Sequence, residues 1–380
     1  MVSRPIWLER LRRGWEKAPI VWLTGVRRTG KTVLASAIGE SEFLNCDLPS
    51  TVARLRDPEG FYRSLRAPCV VFDEVHQLPD PSLLLKIGAD AFPKLKILAT
   101  GSSTLAATQK FRDSLAGRKR SVELFPILAE ELPAFDVLDL RERLLKGGLP
   151  PSLLSGEREN EFYAEWLDSY FARDVQELFR LNKRGDFLRF VELVLRLSGG
   201  MLEVTSLAKH TGVSRPTAQA WLDVLQITHV AYLVRPYAEG GRREILAQPK
   251  LYGFDTGFVS YARAWDRLRP EDCGLLWEHL VLDTLRSLPF DPVLFWRDKQ
   301  QREVDFVLPR GRKCVDVVEC KWTADSCDMR GMAAFRENYP HGRNLIVAPD
   351  VTKSYVRKHK QLEVEYVPLQ RLRETLVVPK

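Results

Sequence analysis

The chain has 380 residues, more than one hydrophobic core usually organises, so roughly two to four domains are expected. With 45% hydrophobic and 28% charged residues it reads as globular rather than disordered, and no apolar run approaches the ~20 residues of a membrane-spanning helix. A net charge of +7 favours a polyanionic partner only where that charge is concentrated, so its location must decide.

The opening MVSRPIWLERLRRGW interrupts its apolar positions with charge and has no small-residue cleavage pattern. Neither a signal peptide nor a membrane anchor is expected, and the cytoplasm is the expected location. Cys46, Cys69, Cys273, Cys314, Cys320 and Cys327 include no CxxC pair and read as reduced thiols.

After the strand-like run Ile20-Val21-Trp22-Leu23, residues Gly25 to Thr32 read GVRRTGKT, a fit to GxxxxGK[ST]. In that pattern Gly25 and Gly30 let the backbone N–H groups around Arg28 and Thr29 curl about phosphate. Lys31 reaches the outer phosphates, and Thr32 offers a hydroxyl to Mg²⁺. The loop opens a helix over Thr32 to Ile38, whose N-terminal dipole favours an anion. A chance glycine turn before an ordinary helix is the competing reading. Arg27 and Arg28 stay open between extra phosphate contacts and a subunit interface.

Residues 67 to 74, APCVVFDE, form a short apolar run ending in two acids, as a buried parallel strand should where it reaches a ligand crevice. Asp73 is expected to hold Mg²⁺ and Glu74 to polarise an attacking water. The strand-like run from Lys94 ends in hydroxyls, with Thr100 and Ser102 placed to report on the outermost phosphate.

These stretches, with ATGSS, LAGRKRSVELFP, GGLP, SYFARDVQEL, LYGFDTG, REVDFVL and VECKW, resemble the AAA-superfamily ATPases of bacteria and archaea that carry a winged-helix and restriction-endonuclease-like C-terminal half. The resemblance spans nearly the whole chain. It implies an ATPase with an additional strand and a catalytic glutamate, of a kind whose members commonly work as oligomers or with partner proteins; ATP and Mg²⁺ are the expected cofactors and a homo-oligomer the expected assembly. Arg118 is then a candidate finger for a neighbouring subunit's nucleotide, against the simpler reading of a solvated basic turn.

The pattern turns helical over Leu128 to Phe135, Asp139 to Lys146 and Glu159 to Leu181, which resembles a helical lid. Tyr163, Trp166 and Tyr170 recur at helical spacing and read as core, not as a site. Arg173 and Asp174 match an element of the resembled family, and an ordinary ion pair would explain them as well. Farther on, helices around Gly212 give a helix-turn-helix cue, with Ser214 as N-cap. Arg215, Thr217 and Gln219 lie near the outward end where a recognition helix meets DNA, and Arg242 and Arg243 lie in a basic hairpin wing. Few side chains could read bases, so DNA binding is expected to rest on phosphate contacts. A plain protein-interaction module is the alternative.

In the last third, a helix from Gly274 to Leu285 precedes strand-like runs over Leu294–Arg297, Glu303–Leu308 and Cys314–Lys321. Asp305 lies on one strand, while Glu319 and Lys321 share a face of the next by the period of two. Two carboxylates beside a lysine suit metal-assisted phosphodiester cleavage, with Asp305 and Glu319 as Mg²⁺ ligands and Lys321 offsetting phosphate charge. This resembles the PD-(D/E)xK nuclease core, in which Glu278 takes the place of an additional helix acid. Surface ion pairs or an inactive relic are the competing readings, and Glu303 is an alternate ligand.

The expected fold class is α/β: a P-loop ATPase with a parallel sheet covered on both faces (1–128), a helical lid (129–185), a winged helix-turn-helix (186–258) and an α/β restriction-endonuclease-like domain (272–380). The expected function is ATP hydrolysis with Mg²⁺ coupled to DNA binding, with metal-dependent DNA cleavage as a further step. The alternative is a regulatory or scaffold ATPase whose C-terminal half binds protein or DNA without cutting it.

Overall fold

The computed structural model describes residues 2–101, 113–176, 183–238, 248–288, 292–311, 314–326 and 328–377. These divide into two compact units, one made of residues 1–125, 166–182 and 227–230, the other of 126–165, 183–226 and 231–380.

The first unit is built on five parallel strands: β1 (Ile20–Thr24), β2 (Ser41–Asn45), β3 (Cys69–Asp73), β4 (Lys96–Thr100) and β5 (Lys119–Glu123). They lie in the order β2-β3-β4-β1-β5, with Ile20 beside Ile97 and Cys69 beside Lys96. Strand β4 therefore separates β1 from β3, which is the additional strand that the resemblance implied. Helices run between the strands, so β1 and β3 are buried along their whole length and read as continuous apolar sequence rather than alternating. Trp22, Phe61, Tyr62, Phe72 and Leu85 fill the core. Asp80 caps the helix Pro81–Ala91 by accepting from the Leu83 N–H at 3.1 Å. All five strands end at one edge, which places Thr24, Asp73 and Thr100 together.

The second unit carries an eight-stranded mixed sheet. Its strands are β6 (Ala231–Pro236), β7 (Lys250–Gly253), β8 (Leu294–Arg297), β9 (Glu303–Pro309), β10 (Val315–Cys320), β11 (Asn344–Val347), β12 (Tyr355–His359) and β13 (Leu362–Val367). They run β12-β13-β11-β10-β9-β8-β6-β7. Strand β6 pairs antiparallel with β7 and parallel with β8. The pair expected as a wing and the last domain thus share one sheet, and the expected border between residues 258 and 272 crosses a common core. Leu276, Leu280 and Val281 of the helix Pro270–Arg286 pack in that core with Tyr252 of β7 and Phe306 of β9.

Three helices, Arg184–Arg196, Val204–Thr211 and Arg215–Ile227, precede β6, with Trp221 edge-to-face against Phe187 and Phe190 at 5.4 and 5.5 Å. Gly212, at φ +69°, turns the second helix into the third.

The segment expected as a lid is divided between the units. Residues 129–165 belong with the second and 166–182 with the first. Ala129–Phe135 is a 3₁₀ helix containing Pro133 rather than an α-helix. The long helix expected from Glu159 is α-helical over Asn160–Tyr170 and π-helical over Phe171–Gln176, and its expected continuation to Leu181 lies outside the described residues. Two sequence motifs meet in the second unit, where Asp255 of LYGFDTG accepts from the Gly148 N–H of GGLP at 2.6 Å.

No helix among the described residues is long and apolar enough to cross a membrane. None of the five described cysteines is in a disulfide.

Candidate functional site

In the first unit, residues 25–32 wrap one side of a cavity of about 450 Å³ at the C-terminal edge of the sheet. Gly25 has φ +134°, and a Cβ there would stand 2.5 Å from the Leu124 carbonyl oxygen, so both conformation and space require glycine. The Lys31 ammonium donates to the carbonyls of Gly25 and Val26 at 2.9 and 3.0 Å. Burial pulls its pKa below the usual lysine range, against the pull of Glu74 and Asp174 in the opposite direction. Thr29 is fully buried, its hydroxyl on the Val26 carbonyl at 3.0 Å. Arg28 adopts φ +65° and lines the cavity.

Asp73, at the end of β3, accepts from the Thr32 hydroxyl at 2.9 Å and from the Thr100 hydroxyl at 2.6 Å. Thr100 in turn accepts from the Glu74 N–H at 2.9 Å. Glu74 sits at φ +54°, an uncommon conformation for a residue with a side chain, and its carboxylate lies 3.2 Å from His76 Nδ1. A hydroxyl and a carboxylate held together are the hard oxygen donors Mg²⁺ takes from protein when phosphates and water fill its remaining positions. Thr32 and Asp73 therefore fit the ion. Ser102 lies outside the described residues.

Several residues at this cavity were not read as site residues from the sequence. Arg4 donates to the Thr29 and Phe125 carbonyls at 3.2 and 3.1 Å and so fixes the loop backbone from behind. Trp166 and Tyr170, expected as plain core, are buried but line the cavity, and the Trp166 indole donates to the Arg27 carbonyl at 3.2 Å. Asp174 is partnered by Arg27, not by its neighbour Arg173. Helical spacing marks such positions as buried but says nothing of what they are buried beside.

Arg118 precedes β5 at the opposite edge of the sheet, where its carbonyl accepts from the Ile20 N–H. Its guanidinium is held by Asp90 at 2.5 and 3.1 Å. It does not reach this chain's own cavity.

The second unit gathers the C-terminal acids. The Lys321 ammonium stands 2.9 Å from Glu319 and 3.8 Å from Asp305. Asp305 also accepts from the Cys320 N–H at 2.8 Å. Beneath them Glu278 accepts from the Tyr252 hydroxyl and pairs with Lys250 at 3.1 Å. Lys250 reaches Glu303 at 2.6 Å as well. Burial, reinforced by Asp305, raises the pKa of both Glu278 and Glu319. Burial also disfavours the charged form of Lys250, but Glu278, Asp305 and Glu303 outweigh it and hold its pKa up. A cleft of about 250 Å³ opens over Glu303, Asp305, Glu319 and Lys321.

All four expected residues are thus in one neighbourhood. Lys250 and Tyr252, from β7, join them without having been expected there. Among the described residues no trio of His, Cys, Asp or Glu is arranged to hold a metal ion. Asp305 and Glu319, the two expected Mg²⁺ ligands, both lie in this cluster, where Lys250 and Lys321 provide opposing charge.

Of the expected DNA contacts, Arg215 and Gln219 are exposed and Thr217 is half-buried at the start of the third helix. Thr217 is tied to Ser214, and Gln219 donates to Asp223 at 3.0 Å. Arg242 and Arg243 lie outside the described residues.

Comparison with known proteins gives matches over most of the chain. Residues 17–132 match an AAA domain, residues 137–269 a domain of unknown function (DUF8612) and residues 273–372 a second domain of unknown function (DUF4143). An uncharacterized protein of Mycobacterium tuberculosis (strain H37Rv) is 31% identical over 312 residues, covering 78% of this chain and 69% of the relative. A Mycobacterium bovis protein matches to the same extent. The chain belongs to their family. Its first unit carries the AAA domain, so this member of the family is an AAA-superfamily ATPase by fold.

Among solved structures, a Walker-type ATPase of Pyrococcus abyssi is 16% identical, covering 69% of this chain and 96% of its own, with a TM-score of 0.43. RuvB of Thermotoga maritima is 14% identical over 64% of this chain and 95% of its own, with a TM-score of 0.30. AMPPCP-bound DnaA of Aquifex aeolicus is 16% identical over 58% of this chain and 86% of its own, also with a TM-score of 0.30.

Proposed function

We propose that this family member hydrolyses ATP with Mg²⁺ and uses the nucleotide state to control how its second unit engages DNA, working as a homo-oligomer. The observation that carries the first half is the placement of Asp73, which accepts from both Thr32 and Thr100 beside the Gly25–Thr32 loop.

In this reading Thr32 and Asp73 hold Mg²⁺, which neutralises charge on the transferring phosphoryl group when bound. The N–H groups of the loop cradle the phosphates, with Gly25, Arg28, Thr29 and Gly30 shaping it. Lys31 leaves the Gly25 and Val26 carbonyls for the outer phosphates. Glu74 orients the attacking water and takes its proton at a carboxylate oxygen. Thr100, already on the Glu74 N–H, keeps that side chain registered to Asp73.

The winged-helix reading of residues 186–258 rests on the three helices followed by an antiparallel pair. Arg215, Thr217 and Gln219 are its contacts to phosphate, and Arg242 and Arg243 extend them. For cleavage, Glu278, Asp305, Glu319 and Lys321 remain the candidate residues. The second reading, a regulatory ATPase that binds DNA or protein without cutting, is favoured by Lys250, whose ammonium already pairs with Glu278 and Glu303.

The test is ATP turnover with and without duplex, single-stranded and branched DNA. Parent protein should hydrolyse ATP faster with DNA, and Lys31→Ala should not hydrolyse it. Unchanged turnover in Lys31→Ala would refute the cradle, and parent turnover indifferent to DNA would remove the coupling. Cleaved DNA with the parent but not with Glu319→Ala would favour the nuclease over the second reading.

A further inference from the structure

The nucleotide cavity contains a carboxylate with no role in the mechanism above. Asp174 comes from the π-helical turn Phe171–Gln176, far along the chain from the loop, yet it lines the same cavity and pairs with the guanidinium of Arg27. The main chain of Arg27 is held as well, by the Trp166 indole at 3.2 Å. Lys31 is turned in on the Gly25 and Val26 carbonyls. Two of the loop's three cations, Arg27 and Lys31, are thus satisfied from within the unit, one by a carboxylate and one by carbonyls.

A carboxylate inside a cavity shaped for phosphates is unfavourable for the ligand unless it moves or is exchanged. The Asp174 side chain is only 15% exposed and that of Arg27 30%, so neither is a freely solvated surface group. A phosphate group is the stronger bidentate partner for guanidinium.

We infer that Asp174 is a resident anion that a nucleotide phosphate displaces from Arg27, making Arg27 a phosphate ligand and the 171–176 turn a reporter of nucleotide occupancy. The inference rests on the nucleotide-binding reading of the cavity. It adds a binding residue, Arg27, and a residue that works against binding, Asp174. A carboxylate that merely positioned Arg27 would act in the opposite direction, because losing it would weaken binding rather than strengthen it.

Affinity for AMP-PNP and for ADP, each with Mg²⁺, separates these cases by calorimetry on the full chain. Asp174→Asn should tighten AMP-PNP binding by roughly threefold to tenfold, as expected for release of a partly exposed ion pair. Arg27→Gln should weaken it. In the Arg27→Gln background, Asp174→Asn should have a smaller effect than in the parent, because the two residues act through one contact. Trp166 fluorescence should change on AMP-PNP binding to the parent and less so in Arg27→Gln. Thermal melting of each variant identifies any that has not folded, and Asp174→Ser then replaces Asp174→Asn. If the parent binds AMP-PNP but both Asp174 variants bind equally or more weakly, the displaced-anion inference is wrong while the nucleotide reading stands. If the folded parent binds neither nucleotide, both fall together.

Discussion

Two places on the strands of this protein gather acidic side chains, and their partners differ in kind. At the end of β3, Asp73 accepts from two hydroxyls, Thr32 and Thr100. At β9 and β10, Glu303, Asp305 and Glu319 face the ammonium groups of Lys250 and Lys321. A hydroxyl orients a carboxylate without cancelling its charge, and it can share the carboxylate with an incoming cation. An ammonium supplies the charge itself, and displacing it exposes a buried ion. The first carboxylate keeps its charge available to a cation, whereas the second cluster already contains positive charge. Acids on strands are thus not equivalent evidence of metal chemistry, and the donors around them decide.

The largest expected effect tests the first site. Glu74→Gln should retain nucleotide binding and lose turnover by about 10²–10⁴-fold, the usual worth of a general base. Steady-state phosphate release measured alongside calorimetric binding checks both halves. Turnover within a few-fold of the parent would mean that the water is oriented by another group.

The next tests the second site. Lys250→Met keeps the apolar stem but leaves Glu278 and Glu303 without their ammonium, and should cost about 3–5 kcal/mol in urea unfolding. Repeating the titration with Mn²⁺ sharpens the contrast. Stability restored by Mn²⁺ would show that the cluster accepts a metal where the lysine was. No restoration would mean that the carboxylates are arranged for lysine alone.

These two sites also differ in how far the sequence revealed them. The loop and Asp73 lie in short local patterns whose chemistry follows from residue type and spacing, and the structure brings Lys31, Thr32 and Asp73 together as those patterns imply. Asp305, Glu319 and Lys321 are local in the same sense, being on paired strands. Lys250, Tyr252 and Asp174 are not. They come from segments whose periodicity only marks burial, and their partners are set by strand order and by the π-helical turn that carries Asp174. That β6 pairs with β8 as well as β7, joining two expected domains in one sheet, is likewise a tertiary fact with no local signature.

A smaller effect belongs to His279, on the helix that also carries Glu278. Its Nε2 lies 2.7 Å from the Ser198 hydroxyl, which itself accepts from the Gly253 N–H at 2.7 Å. Burial lowers its pKa from 6.5 to about 3, with Arg263 and Arg143 adding to the effect. Between those values the unfolded chain binds a proton that the folded chain refuses. This contribution is therefore whole above pH 6.5 and falls as pH drops toward 3, by up to about 1.4 kcal/mol per unit. Glu278 and Glu319, with raised pKa values, shift stability the other way, so the parent must be compared with His279→Gln at each pH. The stability advantage of the parent should shrink by about 2 kcal/mol between pH 7 and pH 5. A constant difference would place a charged imidazole in the core.

The smallest expected effect is that of Arg118→Ala. The side chain sits at the edge of the sheet away from the cavity and is tied to Asp90 on the surface, where solvent screens the pair. Melting temperature and turnover should both stay at parent values when the protein is dilute. An arginine finger works on a neighbouring subunit, so its signature is a dependence on concentration. If turnover per chain rises with concentration in the parent but not in Arg118→Ala, then Arg118 leaves Asp90 to act across an interface. If both proteins give the same concentration curve, the basic turn around Arg118 is a solvated surface, and the first unit's catalytic groups come from its own chain.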